Sequence, residues 1–316
     1  MIDLSIVIVS WNVQALLERC LLSLTKHQGQ HALQCEIIVV DNASTDGSAE
    51  MVRRLFPMVR LIDSPDNLGF SRANNLGISR SVGRHLLLIN PDAEVIGDSL
   101  ATMVRYLDQA PDVGAVGPRI LFPDGTVQPS RRRFPTLATA FLESTLLQHW
   151  LPRNRVLNRY YVQDRPDDQE QVVDWMIGAC LCIRRSTWDQ VGPLDEDLFM
   201  YSEELDWFRR LQAEGWRAVY LPSARVVHHE GQSSQQVIAE RHIHFQSSKV
   251  HYFHKHHGAP AGEILRLFLL STYVFLLSLE SVKWLIGHRR PLRRSRFLAY
   301  LRVLRSGLRL PRTARE

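Results

Sequence analysis

Short apolar runs alternate with helix-patterned stretches through residues 4–89, and that alternation limits the fold more than any other feature of the chain. Residues 4–10 (Leu-Ser-Ile-Val-Ile-Val-Ser) are apolar and β-branched, the pattern of a buried strand. Residues 15–24 place Leu16, Leu17, Cys20, Leu21 and Leu24 at helical spacing. Further strands are expected at 36–40, 59–63 and 85–89, and helices at 49–56 and 73–80. Repetition at this pitch predicts an α/β fold with a doubly wound, mostly parallel sheet. Ligands of such sheets bind beyond the carboxyl ends of the strands. Polar clusters fall there: Ser10-Trp11-Asn12, Asp41-Asn42-Ala43-Ser44 and Asn90-Pro91-Asp92.

The pattern loosens over residues 122–171, where Pro123, Gly125, Pro129, Pro135, Pro152 and Pro166 punctuate the chain around Arg131-Arg132-Arg133. This reads as a connecting insertion. Strand-like sequence returns at 172–184, a helix follows at 205–213, and short strands are expected at 218–221 and 224–227. The four cysteines lack C-x-x-C spacing, so reduced core thiols in a cytosolic compartment are expected. Cys180 and Cys182 would share one face of a strand.

The net charge of +5 conceals an asymmetry. From Lys283 to Glu316 there are eleven Lys and Arg against one acid, which leaves the rest of the chain net negative. Nucleic acid is not the expected partner, because aromatic residues are sparse in the tail and no nucleic-acid motif precedes it. An anionic membrane surface suits it better, since an apolar stretch lies just upstream at 264–287. The uncharged core of that stretch, 267–279, has 13 residues, short of the roughly 20 a spanning helix needs. An interfacial or re-entrant helix is therefore expected ahead of a true span or a buried helix. The N-terminus does not read as a secretory signal, because Asp3 comes early and no basic region precedes it. The histidines at 242, 244, 251, 254, 256 and 257 are irregularly spaced among basic residues and read as a basic helical face.

Two acidic stretches carry the chemistry. Asp92, in the loop after an apolar run, offers an oxygen ligand to a hard divalent cation. Tyr201-Ser202-Glu203-Glu204-Leu205-Asp206 opens a helix, and a carboxylate on such a separate element can take a proton from an attacking hydroxyl. Ser202 also reads as an N-cap, and acids in a first helical turn are favoured by the dipole alone. Likewise Asp41, Ser44 and Asp46 are all good turn formers.

Ile8-Val9-Ser10-Trp11-Asn12, Asp41 through Ser48, Asn67-Leu68-Gly69-Phe70-Ser71-Arg72-Ala73-Asn74-Asn75, Asn90-Pro91-Asp92 and Gly178-Ala179-Cys180 occur in order. Together they resemble the inverting family 2 glycosyltransferases of the GT-A fold, and within them the bacterial rhamnosyltransferase-like branch. The resemblance runs from about residue 4 to 258. It implies a transferase domain at 1–258, comprising a nucleotide-binding half (1–121), an insertion (122–171) and an acceptor half (172–258). A membrane-associating helical and basic tail follows at 259–316. It implies nucleotide-sugar contacts from Ser10, Asn12, Asp41, Asn67, Gly69, Arg72, Asn90, Asp92 and Gly178. Mg²⁺ or Mn²⁺ would be held at Asp92, with His228 as a further ligand. Asn90 stands where many relatives have a first Asp. Glu204 takes the family's general-base position, with Asp206 and Glu203 as alternatives. The implied reaction is sugar transfer from a nucleoside-diphosphate sugar (dTDP-rhamnose or a UDP-sugar) to a saccharide or lipid-linked acceptor for surface polysaccharide. The expected location is cytoplasmic, peripheral to the inner face of the membrane. A non-catalytic nucleotide-sugar-binding scaffold and a sugar-nucleotide nucleotidyltransferase are the rival readings.

Overall fold

The computed structural model describes residues 1–25, 33–151, 154–229, 238–287 and 289–310. The chain forms two compact units, Met1–Phe134 with Tyr161–Glu196 and Glu203–Ser233, and Pro135–Tyr160 with Asp197–Ser202 and Ser234–Glu316.

The first unit is built on a nine-stranded sheet. Strands β1 (Leu4–Ser10), β2 (Cys35–Asn42), β3 (Arg60–Ser64) and β4 (His85–Ile89) run parallel in the order β3-β2-β1-β4. Helices α1 (Gln14–Thr25), α2 (Ser48–Leu55) and α3 (Gly69–Ser79) alternate with them. Every residue of β1 is buried, so both faces of the sheet are covered here. One face sets Leu4, Ile6 and Ile8 in a core with Leu17, Leu21 and Leu24 of α1 and Met51 and Val52 of α2. The other sets Val9 and Val40 against Ala73 of α3. The two-residue period of a strand sorts these side chains to opposite faces. Helix α3 approaches closely because Gly77 lacks a side chain; a Cβ there would lie 2.5 Å from Val7 Cγ1.

The rest of the sheet is mixed. It contains β5 (Ala93–Ile96), then β6 (Val113–Leu121) beyond α4 (Ser99–Gln109). A two-residue strand, β7 (Arg131–Arg132), leaves the main sheet. The stretch 171–184 breaks into β8 (Gln171–Val173), β9 (Trp175–Met176) and β10 (Cys180–Arg184) rather than one strand. Strand β10 inserts antiparallel between β4 and β6. Strand β11 (Arg217–His228) is parallel to β6 and antiparallel to β5 and β8. It replaces the two short strands expected, with a register shift between Leu221 and Arg225 that spans the break in the apolar pattern. Cys180 and Cys182 share the core face with Cys20, and burial pushes all three thiols upward. Cys35 is only half-buried, because it opens β2 at the sheet edge.

Helices α5 (Leu137–Leu142), α6 (Leu146–Trp150) and α7 (Arg155–Tyr160) occupy part of the expected insertion and belong to the second unit. In the first unit, α8 (Arg185–Val191) precedes α9 (Glu203–Ala213). Three long helices, α10 (Ile238–His257), α11 (Ala259–Leu285) and α12 (Arg290–Ser306), complete the second unit. The expected apolar helix is α11, and much of the basic tail is helical in α12; residues 311–316 lie outside the described residues. The histidine-rich face lies on α10, where His242 Nδ1 meets the Tyr273 hydroxyl at 3.1 Å and His244 stacks on Phe199.

Candidate active site

Parallel register brings the carboxyl ends of β1, β2 and β4 to one edge of the sheet, with Ser10 paired to Asp41. Asp41 is 1% exposed. Its Oδ2 accepts the Ser44 N–H at 2.9 Å, while its Oδ1 is buried without a partner, as is Ser10 Oγ. Burial pushes the Asp41 carboxyl above its usual range, and the Ser44 hydrogen bonds only partly offset this. Leaving a buried polar group unpaired costs about 1–3 kcal/mol. Two such groups lie together at one strand edge, where a ligand's hydroxyl or N–H would find partners.

The surrounding turn is tied by side chains. Asn12 adopts a left-handed conformation (φ 51°), and its Oδ1 accepts the Thr45 N–H at 2.8 Å. Asp46 accepts the Gln14 N–H at 2.8 Å and the Ser48 N–H at 3.0 Å. Asp46 is thereby committed to holding the turn. Sequence reasoning passed over Asn42, which clips the next loop in place. Its Nδ2 donates to Asn67 Oδ1 (3.0 Å) and the Gly69 carbonyl (3.1 Å), and its Oδ1 accepts the Leu68 N–H (2.9 Å). Gly69 opens α3 at φ 78°, so the helix starts four residues before the expected 73. Arg72 is half-exposed and lies 3.6 Å from Glu196 Oε2.

Beyond β4, Asn90, Asp92 and His228 converge. His228 Nε2 is 3.2 Å from Asp92 Oδ1 and 3.4 Å from Asn90 Nδ2. Its Nδ1 is 2.9 Å from Gln128 Oε1, a contact that fixes the ring with Nε2 directed at Asp92. Asn90 Oδ1 is buried without a partner. Asp92 and His228 are each 6% exposed. A carboxylate oxygen and an imidazole nitrogen thus lie side by side next to the Asn90 amide, residue types that fit a divalent cation. Glu94 is directed elsewhere, pairing with Arg19 and His229 at 2.7 Å each. Gln128 comes from the loosely patterned stretch, where nothing in the sequence distinguishes it.

The Asn90 N–H donates to the Ala179 carbonyl (3.0 Å), which links this loop to the acid pair. The preceding residue, Gly178, donates its N–H to Glu204 Oε1 (3.3 Å). Glu203 and Glu204 open α9 beside a small cavity also lined by Phe70, Leu88, Leu194 and Trp207. The Oε2 atoms of both glutamates are buried without partners. Burial, then the Glu204 charge, pushes the Glu203 carboxyl well above the usual range. Burial raises Glu204 too, against the N–H groups of the helix start and Gly178 and the positive charge of Arg132. That guanidinium, carried by β7, lies over the Tyr161 ring, 4.5 Å from its centre. The expected N-cap does not form, since Ser202 (φ 64°) and Tyr201 (φ 71°) are both left-handed, not in the extended conformation a cap requires. Asp206 is 1% exposed and paired with Arg210 at 2.9 Å, which ties α9 to the carbonyls of Val191 and Pro193.

Similarities to known proteins bear on the fold and the family. Residues 5–186 match the family "Glycosyl transferase family 2". Over 98% of its length the chain is 33% identical to the "N-acetylglucosaminyl-diphospho-decaprenol L-rhamnosyltransferase" of Mycobacterium tuberculosis, covering 95% of that protein. The "Rhamnosyltransferase WbbL" of Escherichia coli is 27% identical over 51% of this chain and 61% of its own. Among solved structures, the mannosyltransferase PcManGT from Pyrobaculum calidifontis, in complex with GDP-Man and Mn²⁺, superposes with a TM-score of 0.56 at 17% identity, covering 96% of this chain and 85% of that one. GalNAc-T7 with UDP, GalNAc and Mn²⁺ gives 0.54 at 18% identity, covering 72% and 43%. The fold is therefore GT-A-like. A family match over more than half the chain and a relative matched over nearly its whole length join a sheet edge lined with acids, and the chain belongs to glycosyl transferase family 2 as an inverting glycosyltransferase.

Proposed function

We propose that the enzyme transfers rhamnose from dTDP-rhamnose to a lipid-linked saccharide at the inner face of the cell membrane, in surface polysaccharide synthesis. The 33% identity to the mycobacterial rhamnosyltransferase carries this reading, because it extends over 98% of the chain and includes the C-terminal helices. In this reading residues 1–258 act as the transferase domain, and an anionic membrane surface is the partner of 259–316.

Asp41 and Ser10 would accept and donate hydrogen bonds to the nucleoside, in a pocket shaped by Asn12, Asn67 and Gly69. Arg72 would exchange Glu196 for a donor phosphate, a stronger bidentate partner. Asp92, Asn90 and His228 would hold Mg²⁺ or Mn²⁺, which supplies charge neutralisation of the leaving diphosphate. Glu204 is the base. The Gly178 N–H occupies its Oε1 and leaves Oε2 to take the acceptor's hydroxyl proton. The acceptor oxygen bonds to the anomeric carbon as the carbon–oxygen bond to diphosphate breaks with its electron pair, inverting that centre. Asp206 is held by Arg210, and Glu203 is the more deeply buried acid, so neither is as well placed.

The decisive assay incubates purified enzyme, Mn²⁺ and polyprenyl-diphospho-N-acetylglucosamine with dTDP-rhamnose, GDP-mannose or UDP-sugars in turn. Rhamnosylated lipid from dTDP-rhamnose alone is expected. Transfer from a different donor only would replace the sugar assignment, and donor binding without any transfer would favour a scaffold.

A further inference from the structure

Helices α11 and α12 form an antiparallel hairpin pinned at three levels. Near the start of α11, Arg266 Nη1 donates to the Gly307 carbonyl just past α12 (2.9 Å). Seven residues on, Tyr273 packs on Tyr300, with ring centres 5.7 Å apart. Seven further on, Glu280 accepts both its bonds from Arg293 Nη1 at 2.9 and 3.0 Å, with both residues buried. The partners step back along α12 by the same seven residues, so the two helices are in heptad register along their length.

This register decides how the apolar helix can meet a bilayer. Gly262, Leu265, Leu269, Tyr273 and Glu280 form the buried face of α11. The opposite face is also apolar and is exposed: Ile264, Leu267, Val274, Phe275, Val282 and Leu285 are each at least half exposed and recur at helical spacing. A 27-residue helix is about 40 Å long, and this stripe runs its length. By length and composition, α11 is the candidate to cross a membrane among the described residues. A crossing α11, however, would carry α12 with it, and α12 bears six arginines and no acid. In this register Arg302 falls opposite residue 271 at the middle of α11, Arg294 opposite 279 and Arg305 opposite 268, and all three are exposed. At the bilayer centre an arginine costs at least about 2.5–3.5 kcal/mol.

We propose that the α11–α12 hairpin lies in the plane of an anionic phospholipid surface, its α11 stripe among the acyl chains and the α12 arginines on the headgroup phosphates. The proposal rests on the anionic membrane partner named above and adds depth and orientation. An apolar stripe flanked by arginine is the chemistry of an interfacial helix.

The test uses the full chain with vesicles of phosphatidylglycerol mixed into phosphatidylcholine, or of phosphatidylcholine alone. Sedimentation with the first set and not the second is expected. Arg294→Glu with Arg305→Glu should weaken sedimentation at least twentyfold, given about fivefold per arginine near such a surface. Circular dichroism should show the variant folded. In a Cys35→Ala background, Ser295→Cys on bound vesicles should react fully with a membrane-impermeant maleimide added outside. Protection of that cysteine until detergent is added would show a span and overturn the in-plane hairpin while leaving a membrane partner standing. Absence of sedimentation with any vesicle would overturn both. A dimer in solution that covers the stripe and ignores lipid would assign it to a second copy of the chain and overturn the proposal as well.

Discussion

Glu203 and Glu204 are adjacent in sequence but differ in what surrounds them. Both carboxyls are pushed up by burial, and two neighbouring acids in such a place do not both ionise readily. Glu204 alone receives the Gly178 N–H and the field of Arg132, which favour its charged form. In the proposed mechanism this difference distinguishes Glu204, the proton acceptor, from Glu203, whose carboxyl burial pushes higher. Glu204→Gln should lower kcat by roughly 10²–10⁴-fold, as removing a general base does, with donor affinity unchanged by calorimetry. Transfer by the native enzyme should fall on the acid side at a pH above the ordinary glutamate value of about 4.3. Glu203 bears on stability instead. Its raised folded-state pKa means the folded protein binds more protons than the unfolded chain between the two pKa values, so stability declines as pH rises through that window. Glu203→Gln should therefore raise the melting temperature relative to wild type more at pH 8 than at pH 5; an equal offset at both would contradict the buried, protonated assignment. Asp92→Asn should abolish Mn²⁺-dependent transfer and weaken Mn²⁺ binding in electron paramagnetic titrations with nucleoside diphosphate, while the melting temperature holds. Acids such as Asp41, Asp92 and Glu204 were legible because each ends an apolar run or opens a helix. Asn42 and Gln128 were not, since an amide's role depends on which backbone or ring folds against it.

Elements were legible where a buried face imposes a period. Strands β1 to β4 and their helices appear within a few residues of expectation, because their apolar runs are bounded by turn formers. What escaped is pairing that leaves no such trace. Strands β7 and β9 have two residues each, too short for a pattern, yet β7 presents Arg132 near the acid pair and β9 leads into Gly178. The antiparallel insertion of β10 is equally silent, since a strand buried on both faces reads the same in either direction. The start of α3 depends on the Asn42 clip rather than on local propensity. Asn42→Ala would leave the Leu68 N–H and Gly69 carbonyl without their partner, a loss of about 1–3 kcal/mol in urea unfolding. Donor affinity should fall with it, because Asn67 and Gly69 sit on the released loop. Unchanged unfolding would show that another contact holds the α3 entrance.

At the scale of the whole molecule, the proposed function divides its tasks between two units, one carrying the proposed acids of transfer and the other the apolar and arginine-bearing helices. The charge asymmetry that suggests a membrane surface is legible in composition, but the heptad register of α11 and α12 required the fold. The division has a kinetic consequence. An enzyme held on the surface where its acceptor resides meets that acceptor at an effective concentration set by the surface, not by bulk solution. Arg294→Glu with Arg305→Glu leaves every residue of the transfer site in place. With a short-chain, water-soluble acceptor analogue, this variant should match wild-type turnover. With the long-chain acceptor embedded in phosphatidylglycerol vesicles it should lose at least tenfold in kcat/KM, and dissolving the vesicles in detergent should restore parity. High salt should reduce wild type toward the variant, because exposed charges are screened beyond about 8 Å at physiological ionic strength and over shorter distances above it. If both acceptors were affected equally, the arginines would act on the transfer site itself, and the separation of tasks between the units would fail.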